Sequence, residues 1–279
     1  MISSAFELQL DDGSRLVLKA YAELLEWELQ KEPYVYGLAQ GLGLPLATIL
    51  HVDASKELLP RAFAVLTKLD GQLLSDVQPE LGDDELELVY REIGALLRRL
   101  HAVRFDAYGY LGVGEIIEPR PTNADYMGSQ VEKRLRQFRE LGGDGELHRR
   151  MVGYVREREG LFADADGPCL CHNDCHEANL LVTRDGSGWK ITGVVDFGNA
   201  VAADPLLDLA KTSAYSRWRS ERRRDALAEG HGDLRDDWRD AVLLYELYHR
   251  LELWWWFVST GTQLDLLPRV EAAIARQVS

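Results

Sequence analysis

The sequence predicts an α+β fold of two lobes, a small β-rich N-terminal lobe followed by a larger helical one. Three observations carry that reading. Short β-type runs and a tight turn fill the first 67 residues, apolar residues at helical spacing dominate from residue 83 onward, and one further hairpin interrupts the helices around residues 179–195. The expected division is 1–67 for the N-lobe, 68–71 for a hinge and 72–279 for the C-lobe. Two lobes imply a cleft between them, the usual place for a ligand.

Residues 5–10 and 15–20 (AFELQL, RLVLKA) flank DDGS, where Gly13 supplies the turn, so the chain opens on a β-hairpin. Residues 22–41 are helical in composition, but Pro33 lacks an NH and is expected to break or kink that helix near Glu32. ATILHV (47–52) and AFAVLT (62–67) read as two more strands. From Asp83 or Asp84 as N-cap, Leu86, Val89, Ile93, Leu96, Leu97 and Leu100 recur at helical spacing up to His101. A Gly- and Pro-containing loop over 106–122 leads to helices near 123–141 and 146–162. NLLVT and WKITGVV flank RDGSG as a second hairpin, and beyond Asp204 the chain is mainly helical, with a long helix over about 235–259. There Leu244, Leu247, Leu251, Trp254, Trp255 and Val258 form a core-facing stripe, so the aromatic run is read as packing. The basic run RWRSERRR (217–224) is read as a solvated helix face.

Composition narrows the function classes. Hydrophobic residues make up 46% and charged residues 28%, as in a soluble globular protein. The richest apolar window, LELWWWFV, is too short to span a bilayer, and the N-terminus carries no secretory pattern, so a cytoplasmic location is expected. A formal charge of -14 repels nucleic acid and anionic membrane and favours a cationic substrate.

The chemistry concentrates in CLCHNDCHEANLL (169–181), which holds all three cysteines. As a zinc site it fails on spacing: His172 and His176 fit H-x3-H, but the cysteine pairs are C-x-C and C-x3-C, with no second cluster elsewhere. Cys169 and Cys171 are expected to pack on a strand as small hydrophobes. His172, Asp174 and Asn179 instead form H-x-D-x-x-x-x-N, followed by Asp196-Phe197-Gly198. This is the spacing of the catalytic and metal loops of phosphoryl transfer. Chance produces such a match in about one chain in 10,000 of this length. Transfer from ATP needs a hydroxyl placed in line and charge offset by Mg2+. On that reading Asp174 orients and deprotonates the acceptor hydroxyl, Asn179 and Asp196 hold Mg2+, and His172 braces the loop.

Together with REIGALLRRLH and ITGVVDFGNAVAADPLLDLA, the loop resembles the aminoglycoside phosphotransferase family, small-molecule kinases of protein-kinase-like fold. The resemblance covers roughly residues 4–260. It implies that Lys19 of VLKAY binds phosphate, that Glu32 pairs with it in competition with Glu26 and Glu28, and that Thr67 and Leu69 of AFAVLTKLDG offer backbone contacts to adenine. Asp204 and Asp208 match a motif read as structural. The implied activity is ATP- and Mg2+-dependent transfer to a hydroxyl of a small molecule, such as a cationic aminoglycoside-like or peptide antibiotic. Choline, ethanolamine or homoserine kinase-like acceptors stay open, with Glu115, Glu118, Asp125 and Glu252 as candidate contacts for a cation.

One departure stands out. Gly13 is the only glycine before Lys19 and belongs to the first turn, while Ile2, Ser3 and Ser4 stand where a phosphate-covering turn belongs. The sequence therefore leads to two alternatives: the N-terminus is truncated or misassigned, which removes the first strand and glycine-rich turn, or Ser3 and Ser4 donate their hydroxyl and NH groups with no first strand behind them. It also keeps open a non-catalytic nucleotide-binding or interaction module of the same fold.

Overall fold

The computed structural model describes residues 3–163, 165–186, 188–215 and 220–279. The positions Ile2, Ser187 and residues 217–219 of the basic run lie outside these. Strands β1 (Ser4–Gln9), β2 (Arg15–Ala20), β3 (Ile49–Asp53) and β4 (Phe63–Thr67) form an antiparallel sheet in the order β1-β2-β4-β3. In the first turn Gly13 takes φ +83°, and the Asp12 carboxylate accepts from the Ser14 NH at 2.9 Å.

Helix α1 (Glu28–Ala39) packs beside this sheet after a short 3-10 turn, Glu23–Leu25. Pro33 lies inside α1, which continues past it to Ala39, so of the expected break or kink the break does not occur. Interior proline costs about 3 kcal/mol. Leu29, Val35, Tyr36 and Ala39 are all buried along the same helix, and at roughly 1.5–3 kcal/mol for each large side chain that burial outweighs the loss.

The connector 68–71 leads to β5 (Gln72–Leu73), which joins β9 (Leu180–Asp185) and β10 (Gly188–Val194) in the order β10-β9-β5. Gly71 adopts φ +121°, and a Cβ there would sit 2.7 Å from Thr192 Oγ1 and 2.8 Å from the Val182 carbonyl. Only glycine lets the connector lie this close to the β9–β10 pair.

The short α2 (Leu74–Val77) precedes α3 (Asp83–Leu100). The N-cap of α3 is Gly82 rather than an aspartate, because the Glu85 carboxylate reaches back to the Gly82 NH at 3.1 Å. Asp83, Asp84 and Glu85 then occupy the first turn, where negative charge suits the helix dipole. The expected loop over 106–122 contains a hairpin, β6 (Tyr108–Leu111) and β7 (Ile116–Arg120). With β8 (Cys169–Cys171) and β11 (Val201–Ala203) it builds a third sheet, β7-β6-β11-β8. Residues 116–120 are mostly exposed and include Pro119, so neither burial pattern nor composition marks them as a strand. Pairing with β6 supplies what the sequence lacks.

Helices α4 (Asn123–Glu140), α5 (Gly145–Arg158), α6 (Leu206–Tyr215), α7 (Glu221–His231), α8 (Trp238–Thr260) and α9 (Leu267–Gln277) complete the C-lobe. Along α8, Leu244, Leu247, Leu251 and Trp254 are buried as expected, whereas Trp255 and Val258 are half-buried and Phe257 takes the deeper place. Among the described residues no helix is long and apolar enough to cross a membrane.

Helices α3 and α7 cross with backbone against backbone. A Cβ on Gly230 would meet the Arg91 carbonyl oxygen at 1.8 Å, and one on Gly94 the Leu227 carbonyl at 2.0 Å. Gly230→Ala is therefore expected to lower stability by about 3 kcal/mol, read as the midpoint shift in urea unfolding. An unchanged midpoint would show that the helices can separate freely here.

Candidate active site

Strand β2 sets Lys19 on the inner face of the first sheet, and α1 aims Glu32 at it. The Lys19 ammonium lies 2.5 Å from Glu32 Oε1 and 3.0 Å from Asp196 Oδ1. Tyr21 closes the far side by donating its hydroxyl to Glu32 Oε2. Burial pushes the Glu32 carboxyl up and works against the Lys19 charge; for Lys19, Glu32 and Asp196 more than compensate, and its pKa is raised. Glu32 is thus the partner of Lys19. Glu26 pairs with Lys56 at 2.7 Å, while Glu28, next to Glu32 and Asp196, is pushed up to about 7 by burial.

The Asp196-Phe197-Gly198 segment locks onto α1. Asp196 sits in the left-handed region at φ +70°, which turns its carboxylate toward Lys19. The Phe197 ring is buried edge-on to Tyr36 of α1 (5.1 Å between centroids) and against His172 (4.4 Å). A Cβ on Gly198 would lie 2.7 Å from the Glu28 carboxyl carbon, so glycine makes room for that side chain.

The loop carrying Asp174 hangs from β8 and is fixed by Asp208. The Asp208 carboxylate, fully buried on α6, accepts from the backbone NH of His172 (2.8 Å) and Asn173 (2.6 Å). It also faces His101 Nε2 at 3.0 Å. His231 Nδ1 donates to the Gly232 carbonyl (2.9 Å), so its Nε2 accepts from His101 Nδ1 (2.9 Å), and His101 carries both protons. Burial opposes that charge, and Cys169 together with Asp208 overrides it, raising the His101 pKa. His101 lies near Cys169 and Cys171, but with both ring nitrogens engaged it has no lone pair for a metal. The cysteines are buried free thiols, as expected, with Cys169 Sγ against the Ala203 carbonyl at 3.3 Å.

His172 braces the loop, donating from Nε2 to the Val195 carbonyl at 3.1 Å. Asn179 turns its amide NH2 back onto Asp174, 2.9 Å to the carbonyl and 3.1 Å to Oδ2. Its own Oδ1 carries no hydrogen bond among the described residues. His176 accepts at Nδ1 from the Ala178 NH (3.2 Å), so its Nε2 bears the proton and faces Asp174 Oδ1 at 3.5 Å. Burial pushes the Asp174 carboxyl up, but His176 and the ammonium of Lys211, 3.7 Å away, hold it well below the ordinary carboxylate range.

Lys19, Glu32, Asn179 and Asp196 border a cavity of about 240 Å³. They supply its charged and amide lining, Val17, Ala47, Leu66, Leu69, Leu181 and Val195 its apolar lining, and Ser3, Ser4 and Thr67 its aliphatic hydroxyls. Ser3 Oγ is buried without a partner. The Thr67 NH is already bonded to the Thr48 carbonyl at 2.9 Å and is not free for a base, which corrects part of the adenine expectation. Asp174 lies one residue contact beyond the cavity, through Asn179. Lys211 and Tyr21 were not anticipated; a lysine inside the apolar run LLDLAK was the available signal for the first.

A family model described as the phosphotransferase enzyme family matches residues 2–244. Among solved structures, the chain is similar to a thermostable mutant of aminoglycoside phosphotransferase APH(4)-Ia in ternary complex with ADP and hygromycin B. That match has a TM-score of 0.77 and 19% identity, over 100% of this chain and 90% of the other. It is similar to the GDP complex of aminoglycoside 2'-phosphotransferase-IIIa (TM-score 0.70, 14% identity, 100% and 93% covered). A putative fructosamine-3-kinase from Thermobifida fusca also aligns (TM-score 0.69, 19% identity, 99% and 91% covered). No curated protein sequence matches the chain. The two-lobed, protein-kinase-like fold expected from the sequence is the fold of these structures. By the match of its family model over most of its length, the chain belongs to the phosphotransferase enzyme family, whose members are small-molecule kinases.

Proposed function

We propose that this chain transfers the γ-phosphoryl group of ATP to a hydroxyl of a small molecule. The observation that carries the reading is the joining of two half-sites. Asp174 and Asn179 touch at 3.1 Å, and Asp196, which shares the cavity wall with Asn179, is paired to Lys19 at 3.0 Å. A catalytic base and a phosphate cradle therefore meet at one place.

The residues fit Mg2+. Asn179 Oδ1 and Asp196 Oδ2 are hard oxygens without hydrogen bonds among the described residues, and Asp196 is 42% exposed at the cavity wall. When bound, the cation offsets the charge of the phosphate oxygens. The rest is done by the chain. Lys19, held rigid by Glu32 and Tyr21, meets the phosphates; the apolar lining of the cavity takes the base, with the Leu69 backbone at its edge; Ser3 offers its unpaired hydroxyl. Asp174, held ionised, accepts a hydrogen bond from the acceptor hydroxyl, aligns its oxygen on phosphorus and takes its proton as the new bond forms.

The acceptor is read as a cationic, aminoglycoside-like or peptide antibiotic, supported by the net charge of -14 and by the hygromycin B and kanamycin bound in similar structures. A cytoplasmic setting follows from ATP as donor. Glu252 is an unsuitable contact for an acceptor amine, being surrounded by Arg134 (3.1 Å), Tyr248 (3.2 Å) and Lys211 (3.3 Å). Acceptor-dependent ADP release measured with Mg-ATP across hygromycin B, kanamycin, a fructosamine and simple amino alcohols tests the proposal. Turnover with at least one is expected; none, together with no thermal shift on adding Mg-ATP, would sink it.

A further inference from the structure

We propose that Lys211 is a positioning residue for Asp174, holding the base in register with the rest of the C-lobe; this rests on the phosphotransferase reading above. Lys211 projects from α6 out of a segment whose neighbours Leu206, Leu207, Leu209 and Ala210 are buried. It is 4% exposed, and an ammonium is placed there only where charges await it. Its Nζ stands 3.3 Å from Glu252 Oε2, 3.7 Å from Asp174 Oδ1 and 4.1 Å from the centre of the Tyr215 ring.

The partners of Asp174 fall into two kinds. Asn179 and His176 belong to the same loop, so their contacts move with it. Among the described residues Lys211 is the one ion-pair partner of Asp174 from another element. Its far side is tied down in turn, because Glu252 on α8 is gripped by Arg134 of α4 and by Tyr248. A chain of charges thus runs from α4 and α8 through Lys211 to the base. At 3.7 Å the last link is longer than a hydrogen bond and acts through charge, drawing Oδ1 toward α6 while Asn179 holds Oδ2. The two pulls fix the plane of the carboxylate, which decides where the acceptor hydroxyl must lie. Had Lys211 served only to neutralise Glu252, contact with the loop would not be needed.

Crystal structures of Lys211→Met and Lys211→Arg, with steady-state kinetics on an acceptor the wild type accepts, test this. In Lys211→Met the Asp174 carboxylate is expected to leave its position by more than about 0.5 Å, the tolerance of a productive site. The kcat should fall about 100-fold while the KM for ATP stays within about twofold. Lys211→Arg, which keeps the charge, should restore at least a tenth of the wild-type kcat and the carboxylate position, on the order of tenfold above the methionine variant. An unmoved carboxylate in Lys211→Met, or equal losses in both variants, overturns the proposal. If Lys211→Met does not fold, Glu252→Gln decides: the ammonium should close on Asp174, and its withdrawal from Asp174 overturns the proposal. A wild type inactive on every acceptor sinks the phosphotransferase reading instead, and the crystallographic comparison still decides the role of Lys211.

Discussion

Asp174→Asn is expected to reduce turnover by about 1000-fold, the range for loss of a positioned proton acceptor, and to leave nucleotide affinity unchanged. Asparagine keeps the shape of the side chain, and the loop that presents it is held by Asp208 and His172 rather than by Asp174 itself. What disappears is the negative charge that faces Lys211 and that the proposed function uses to receive the acceptor proton. Lys19, Glu32 and Asp196 bind one another without help from Asp174. ADP release and calorimetric titration with Mg-ATP separate the two effects. Turnover within tenfold of wild type would show that Asp174 is not the base, and a parallel loss of nucleotide binding would show that it is structural.

The second large effect is on stability. Asp208→Ala should lower the unfolding free energy by about 4 kcal/mol, because it strands a buried imidazolium and two backbone NH groups at once. Asp208 has no solvent exposure and binds His101, His172 N and Asn173 N. The linkage has two limbs. Burial pushes the Asp208 carboxyl up but His101 lowers it further, so its contribution is complete above the ordinary carboxylate value and is lost as pH falls below it through the lower folded value. The His101 pKa is raised, so its contribution is complete below the unfolded value of 6.5 and is lost as pH rises through the higher folded value. The pair therefore stabilises most between the two limbs, in mildly acidic solution. Urea midpoints of wild type and Asp208→Ala across pH 4 to 9 should differ most there, and a difference independent of pH would refute the ion pair.

The grouping of the loop residues was legible because spacing constrains it: five residues from Asp174 to Asn179 and a hairpin's length to Asp196 leave the three groups little freedom. The choice of Glu32 needed the fold: Glu26 precedes α1, and Glu28 and Glu32 differ only in which way the helix points them. Pro33 misled because local propensity speaks for a few kcal/mol while the buried face of α1 speaks for more. The β6–β7 hairpin was hidden because its outer strand is exposed on most positions and has no alternation to read. Lys211 was hidden for a different reason. Its partners lie 37 residues before and 41 residues after it, a pairing of charges that only the packing of α6 against α8 and the loop brings about.

Gly71 gives the connector an asymmetry. Its downstream end is seated against Thr192 and the Val182 carbonyl, too tightly for any side chain. The Asp70 carbonyl accepts from the same Thr192 hydroxyl at 2.7 Å, so this anchorage reaches back to the edge of the cavity wall that Leu69 helps to form. A ligand held at that wall would therefore rest against a segment whose backbone is already fixed to the β9–β10 pair.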